Sequence, residues 1–266
     1  MVIDTSTLKR ALKRPTAILD RADVNVVWPQ VERRESSNHE QRFRPNRMYG
    51  RRSVDHVRIP IPTKGQRLSR RALDLAVALP ALVLSIPIFV IVAVCIKCSS
   101  RGPIFFRQTR VGREHRSFRM VKFRTMPHGA DRIVRGDPAL WALYVENDFK
   151  LPKSSVNVSR LGNFLRKTSL DELPQLFNVI RGDMSVVGVR PVEPEQLGER
   201  SRASQGLYGV FQPGMTGHWQ TRGRSLVQGE ERVALDDEYV ATWAPKKDVL
   251  ILLRTPLAVM RRDQSA

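Results

Sequence analysis

The sequence is poor in the residues that build disulfide frameworks, metal centres and nucleotide loops. Of 266 residues only two are cysteine and five are histidine. The histidines are scattered, so neither a His-based metal site nor a triad has a local foundation. Cys95 and Cys98 form one C-x-x-C at the end of an apolar run, without the second pair or the thioredoxin-like context that would make it zinc-binding or redox-active. Two small residues at a membrane boundary are the expectation, in a reducing compartment with no disulfide framework. No G-x-x-x-x-G-K-[ST], G-x-G-x-x-G or H-E-x-x-H occurs, and no repeat of about 20 to 50 residues is found. Negative charge is scarce as well. Forty-five Lys and Arg face 26 Asp and Glu, a net charge of +19, which calls for acidic partners: nucleic acid, anionic lipid or phosphorylated substrates.

Residues 1–66 lack sustained hydrophobic periodicity and are rich in arginine (Arg42, Arg44, Arg47, Arg51, Arg52), with Pro60 and Pro62 near their end. A largely disordered basic arm is expected. No removable signal peptide is expected either, because the apolar segment begins about seventy residues in.

What is present next is a run from Leu75 to Ile96, 22 residues without a charge, long enough to cross the hydrocarbon core as a helix. Arg67, Arg70 and Arg71 precede it and Lys97 and Arg101 follow it. Cationic flanks prefer the cytoplasmic face, and here both ends claim it. Pro87 in the middle removes a helical hydrogen bond. A segment that enters over residues 67–97, breaks near Pro87 and returns reconciles these features, with Ser85 offering a partner to the freed backbone. A straight spanning helix with a tolerated kink is the alternative.

The remainder, 98–266, reads as an α+β domain, mainly helical with short strands. GPIFFRQTRVG and SFRMVKFRTM alternate like strands joined at a Gly turn. Residues 129–147 look helical, and Leu161–Leu165 leads to another helix through about Ile180, stopped by Arg181-Gly182. The apolar tail Asp248–Arg262 is too short to span and is placed at the membrane interface, with the core as the alternative.

The densest polar constellation is RKTSLDELPQL, residues 166–176. Ser169 stands three before Glu172 as a capping box requires, which starts a helix near Asp171, or a few residues later given Pro174. Carboxylates there meet the positive end of a helix dipole and stay ionised. Neighbours on a helix point about 100° apart, so Asp171 and Glu172 are not equivalent: one can attack while the other orients or holds a metal. Acids in a first turn also occur purely as dipole partners. Short basic blocks surround the pair in the sequence: Arg107 and Arg110, Lys122 and Arg124, Arg166 and Lys167, Arg190, and Arg222 with Arg224.

GPIFFRQTRVG, FRMVKFRTM, SRLGNFLRKTSLDELPQLFNVIRGDMSVVGVRP and QPGMTGHWQTRGR together resemble the bacterial sugar transferase family, the monotopic phosphoglycosyl transferases, over about residues 68–262. Within it the chain is most similar to rhizobial exopolysaccharide-initiating galactosyl or glucosyl phosphotransferases, partly through RVALDDEYVATW. The resemblance implies a monotopic membrane protein at the bacterial inner membrane, with one re-entrant helix-break-helix segment and its catalytic domain in the cytoplasm. It implies that Asp171 attacks the β-phosphorus of a UDP-sugar, that UMP leaves, and that undecaprenyl phosphate then takes the phospho-sugar. Glu172 is then the second member of the dyad, Asp171 the ligand of Mg2+, Arg190-Pro191 part of a nucleotide-binding Pro-Arg-Pro element, and Lys122, Arg124, Arg107, Arg110 and Arg166 substrate-binding, with the planar guanidinium groups orienting phosphate. Inner-membrane lipids, downstream glycosyltransferases and a second copy of the chain are its implied partners; nucleic acid is not among them. Two positions depart from the family pattern. Val189 stands where proline is usual, and the Ser-Pro break reads Ser85-Ile86-Pro87.

Two other classes remain. A membrane-tethered nucleic-acid-binding protein would explain the charge, though few aromatics accompany the basic blocks. A catalytically inactive scaffold for polysaccharide assembly would keep the fold without the chemistry. The sugar itself is not legible.

Overall fold

Thr63 caps the first described element. Its hydroxyl accepts from the Gln66 backbone at 3.3 Å while the Gln66 side chain accepts from Thr63 N–H at 2.9 Å, a capping box at the start of helix α1, Lys64–Ser99. The computed structural model describes residues 61–149, 158–222, 227 and 229–260; the expected arm lies outside them except for its last six residues. α1 exceeds the expected 67–97 at both ends and stays helical through Pro80 and Pro87. At 1.5 Å per residue it is about 54 Å long. Its buried residues, Arg70, Asp74, Ala78, Ser85, Val92 and Ile96, recur at helical spacing and form one stripe. The rest of the surface is apolar and open, with Leu84 77% exposed and Val83, Val90, Ile91 and Val94 similarly bare. The Ser85 hydroxyl donates to the Leu82 carbonyl at 2.9 Å. The carbonyl that Pro87 deprives of its usual donor is that of Val83, four residues back, so Ser85 does not repair that loss.

Charged residues anchor the first turns of α1. Asp74 accepts from Ser185 Oγ and Val186 N–H, both at 2.8 Å. Arg70 donates to the Val187 carbonyl at 2.7 Å, pairs with Asp248 at 3.2 Å and lies 4.6 Å over the Phe211 ring. At the other end Val92 and Ile96 pack with Phe123 and Leu165.

The expected hairpin is present as β1, Phe105–Val111, antiparallel to β2, Ser117–Phe123, with Gly112 N–H bonded to the Arg116 carbonyl at 2.8 Å across the connection. The expected helix over 129–147 is two: α2, Ala130–Gly136, and α3, Pro138–Glu146. Asp137 divides them, capping Ala139 and Leu140 through its carboxylate, with Pro138 at the first helical position. The helix expected through Ile180 is α5, Gln175–Arg181; a separate helix α4, Arg160–Thr168, precedes it, and a short 3-10 turn over Leu170–Glu172 joins them. Gly182, at φ 91°, closes α5 by the expected left-handed stop.

Beyond these, β3, Ser185–Val187, pairs in parallel with β4, Gly214–Thr216. Helices α6, Pro194–Gly198, α7, Arg202–Tyr208, α8, Gly229–Ala241, and α9, Pro245–Met260, complete the described order. α9 begins three residues before the expected tail and remains helical at Pro256. The main core joins Val179, Met184, Val187, Val189, Tyr208, Phe211, Tyr239 and Trp243 with Ala78 of α1. The described residues are therefore mostly helical with two small sheets, in line with the α+β expectation.

Candidate active site

Two contacts hold the acidic turn against the hairpin. Asn178 of α5 is fully buried; its side chain accepts from Val121 N–H at 3.0 Å and donates to the Arg119 carbonyl at 2.8 Å, which fixes α5 to β2. On the other side α4 lies so close to the end of β2 that a Cβ at Gly162 would stand 2.1 Å from the Thr125 carbonyl oxygen. Only glycine admits that approach. Arg166, one turn further along α4, donates to Thr125 Oγ1 at 3.0 Å.

The capping box expected at Ser169 and Glu172 is not formed. Ser169, at φ 55°, is the C-cap of α4, and its side chain does not cap the turn that follows. Regular helix resumes at Gln175 after Pro174, the later start that Pro174 had suggested. Asp171 is thus in a tight turn, not at the dipole end of a long helix, and is only 8% exposed. Burial is the largest influence on its carboxyl and pushes the pKa up to about 6; Lys122 and Arg166 oppose this and Glu172 adds to it. Lost hydration outweighs the favourable charges, so this carboxyl takes up a proton more readily than an ordinary aspartate while remaining mostly ionised at neutral pH.

Glu172 has the other role in geometry. Its carboxylate meets Lys122 Nζ at 2.8 Å, in an open cleft lined also by Arg110, Met120, Gln175, Arg190, Pro191, Gly214, Met215 and Gln220. Strand parity explains the selection. Phe106 pairs with Lys122, Gln108 with Met120 and Arg110 with Phe118, so Arg110 and Lys122 share one face. Arg107 pairs with Val121 on the opposite face and is not brought to the cleft. Arg124 is placed elsewhere too: its guanidinium donates to the Ser100 and Arg101 carbonyls at 2.8 and 2.7 Å, capping the end of α1. Pro87 and Ser85 belong to α1. Arg222 is exposed, 3.9 Å from Glu238, and Arg224 lies outside the described residues.

Glu193 organises the side chains behind Arg110, and sequence reading missed it. Fully buried, it accepts from Gln108 at 2.8 Å and from Arg135 at 2.7 Å, pairs with Arg110 at 3.4 Å, and takes the Tyr144 hydroxyl as a further donor. Burial lowers the Arg110 pKa while Glu193 raises it. Arg190, three residues before Glu193, lies 5.7 Å over the Trp219 ring. Val189 is a core residue whose carbonyl accepts from Gly214 N–H at 2.8 Å. Gln175 and Gln220 were also missed, although DELPQL and GHWQTRGR contain them; glutamine carries no charge pattern to mark it.

No group of three or more His, Cys, Asp or Glu stands together among the described residues to enclose a metal. Mg2+ bound with a diphosphate needs only one or two carboxylates, its remaining positions being filled by phosphate and water. Asp171 beside Glu172, with Arg and Lys lining the adjacent cleft, fits that donor set.

Comparison with known proteins gives a family model described as bacterial sugar transferase, matching residues 65–262. The chain is 42% identical over 201 residues to the UDP-galactose-lipid carrier transferase of Erwinia amylovora, covering 74% of this chain and 41% of that protein. It is 38% identical over 204 residues to the undecaprenyl-phosphate galactose phosphotransferase of Salmonella typhimurium, covering 75% and 42%. The exopolysaccharide production protein ExoY of Sinorhizobium fredii is 39% identical over 196 residues, with 72% and 85% covered. The matched region thus spans about two fifths of the first two relatives and most of the third.

Proposed function

The chain belongs to the bacterial sugar transferase family, and from that premise we propose that it moves a sugar-1-phosphate from a UDP-sugar to undecaprenyl phosphate as the opening step of exopolysaccharide synthesis. UDP-galactose and UDP-glucose are the leading donors, since relatives named for galactose and for glucose transfer both match. The observation that carries this reading is a buried, partly dehydrated Asp171 beside a cleft in which Lys122, Arg110, Arg190 and Glu172 converge.

An Asp171 carboxylate oxygen attacks the β-phosphorus, the bond from that phosphorus to the bridging oxygen breaks, and UMP leaves with the electron pair. A phosphate oxygen of undecaprenyl phosphate then attacks the aspartyl-bound phosphorus, forming the lipid diphosphate sugar and restoring the carboxylate. A nucleophile held out of water gains reactivity, and a pKa of about 6 leaves it mostly ionised at neutral pH. Lys122 holds Glu172 and supplies positive charge to the diphosphate; Arg190, with Pro191, orients the nucleotide. Mg2+, held by Asp171 with Glu172 beside it, would neutralise diphosphate charge.

Lipid access comes from α1. Among the described residues it is the one helix long and apolar enough to cross a membrane. What supports seating in one leaflet is that both its ends pack on the same body, through Arg70 and Asp74 at one end and Val92 and Ile96 at the other. A straight crossing would pull one of those contacts through the bilayer. The exposed Val249, Leu250, Leu253 and Leu257 of α9 add a second lipid-facing surface.

The test is UMP release from a panel of UDP-sugars with undecaprenyl phosphate and Mg2+. Asp171→Asn should abolish release and the labelling of protein by radioactive UDP-sugar without acceptor; full turnover by that variant would overturn the mechanism.

A further inference from the structure

At the foot of α1, away from the transfer cleft, five arginines surround a cavity of about 250 Å3. Arg67, Arg70 and Arg71 come from the first two turns of α1, Arg113 from the hairpin connection and Arg181 from the end of α5, with Phe211 beside them. No lining residue is shared with the cleft. The two sites sit at opposite ends of α5, since the cleft includes Gln175 and the cavity Arg181 and Gly182.

Local partners neutralise this cluster only in part: Arg70 pairs with Asp248 at 3.2 Å. Asp74 is the only lining carboxylate, and its Oδ1 already accepts from Ser185 and Val186. Arg71 donates to the Val179 and Ile180 carbonyls, Arg67 to the Pro62 carbonyl. Arg113 and Arg181 each touch one acid at the rim, Glu114 at 3.3 Å and Asp183 at 3.8 Å. Arg70 is only 8% exposed, yet its Nη1 has no hydrogen-bond partner among the described residues. Each guanidinium has five donors in a fork that suits phosphate oxygens, so several remain to be filled. Gathering like charges is unfavourable until an anion enters.

Size and position narrow the anion. The cavity is smaller than the roughly 300 Å3 at which pockets begin to enclose drug-sized molecules, so a small phosphate group fits better than a nucleotide. Leu68, in the same turn as Arg67 and Arg71, is 72% exposed, and Ile61 is 70% exposed. From there the apolar face continues through Leu79 and Val83. If that face meets lipid, as proposed above, the arginines lie at headgroup depth. We propose that this cavity is a phosphate-oxyanion site that seats the headgroup of an anionic phospholipid and fixes the depth and tilt of α1 independently of the transfer cleft.

The test uses the full chain in a neutral detergent, titrated with short-chain phosphatidylglycerol, phosphatidylcholine or inorganic phosphate and read by native mass spectrometry. Wild type should bind phosphatidylglycerol in preference to phosphatidylcholine, and R113Q/R181Q should bind it about thirtyfold more weakly, two cationic contacts having been removed. R113K/R181K should recover most of the affinity, and R160Q/R202Q, the same charge loss outside the cavity, should leave it unchanged. UMP release by R113Q/R181Q in detergent should match wild type, so failure of the transfer chemistry and failure of this site are separable. Equal affinity of R113Q/R181Q and wild type for phosphatidylglycerol would remove the site. Tight binding of inorganic phosphate without retention of the lipid would replace the headgroup with a free anion and overturn the lipid assignment.

Discussion

At Asp171 two demands conflict. A nucleophile must be ionised, and a buried carboxylate resists ionisation. With a pKa of about 6 against an ordinary 3.8, the folded state holds this proton more tightly than the unfolded chain. Its contribution to stability is therefore present at low pH and is lost as pH rises from about 3.8 through about 6, leaving a cost of ~1–3 kcal/mol at neutral pH. Asp171→Asn should raise the melting temperature by several degrees at pH 7.5 and by nothing near pH 3, while abolishing transfer; calorimetry at the two pH values checks both limbs. The rate of enzyme labelling should fall on the acid side with a midpoint near 6. Lys122 lowers this pKa, so Lys122→Met should move the midpoint upward, and a fixed midpoint would show that another group governs the limb. The identity of the acids was plain in the sequence. Their environment was not, because much of the burial comes from packing against β2, distant in sequence.

Elements decide which basic residues share a site. Of the blocks KFRT and RQTR, the hairpin sends Lys122 and Arg110 to one face and Arg107 to the other. A charged block in a strand is thus split by the two-residue period, and no count of charges foretells which half remains with the acids; that depends on which face β2 turns to α5. Arg124 lies beyond the strand end and caps the C-terminus of α1, where a cation opposes the negative end of the dipole. α4 is positioned by contact rather than charge. Gly162→Ala places a methyl group against the Thr125 carbonyl and should destabilise the protein by about 2–3 kcal/mol. Because α4 also carries Arg166, labelling by UDP-sugar should fall in the same variant; denaturant melts and labelling rates check the two effects.

At the scale of the whole molecule, α1 is both a wall of the core and, among the described residues, the element that carries most of the exposed large hydrophobic side chains. Opposite faces should therefore respond differently to charge. L84K/I91K, on the exposed face, should release the protein from membranes into the soluble fraction with its melting temperature little changed, whereas Val92→Lys, in the buried stripe, should unfold it; fractionation followed by thermal melts separates them. Single cysteines at 66 and 101, in a background with Cys95 and Cys98 replaced, should be labelled from the same side, and opposite-side labelling would end the one-leaflet reading. The sequence by itself determined the apolar segment, the hairpin, the stop at Gly182 and the acidic pair, because each is written in local periodicity or in contiguous residues. Only the tertiary structure decided that Arg110, Lys122 and Arg190 meet at Glu172 while Arg107 and Arg124 do not, that Glu193 holds the cleft wall, and that five arginines gather at the foot of α1. Those are consequences of packing between segments far apart in the chain, where burial and strand parity, not composition, set which charges become neighbours.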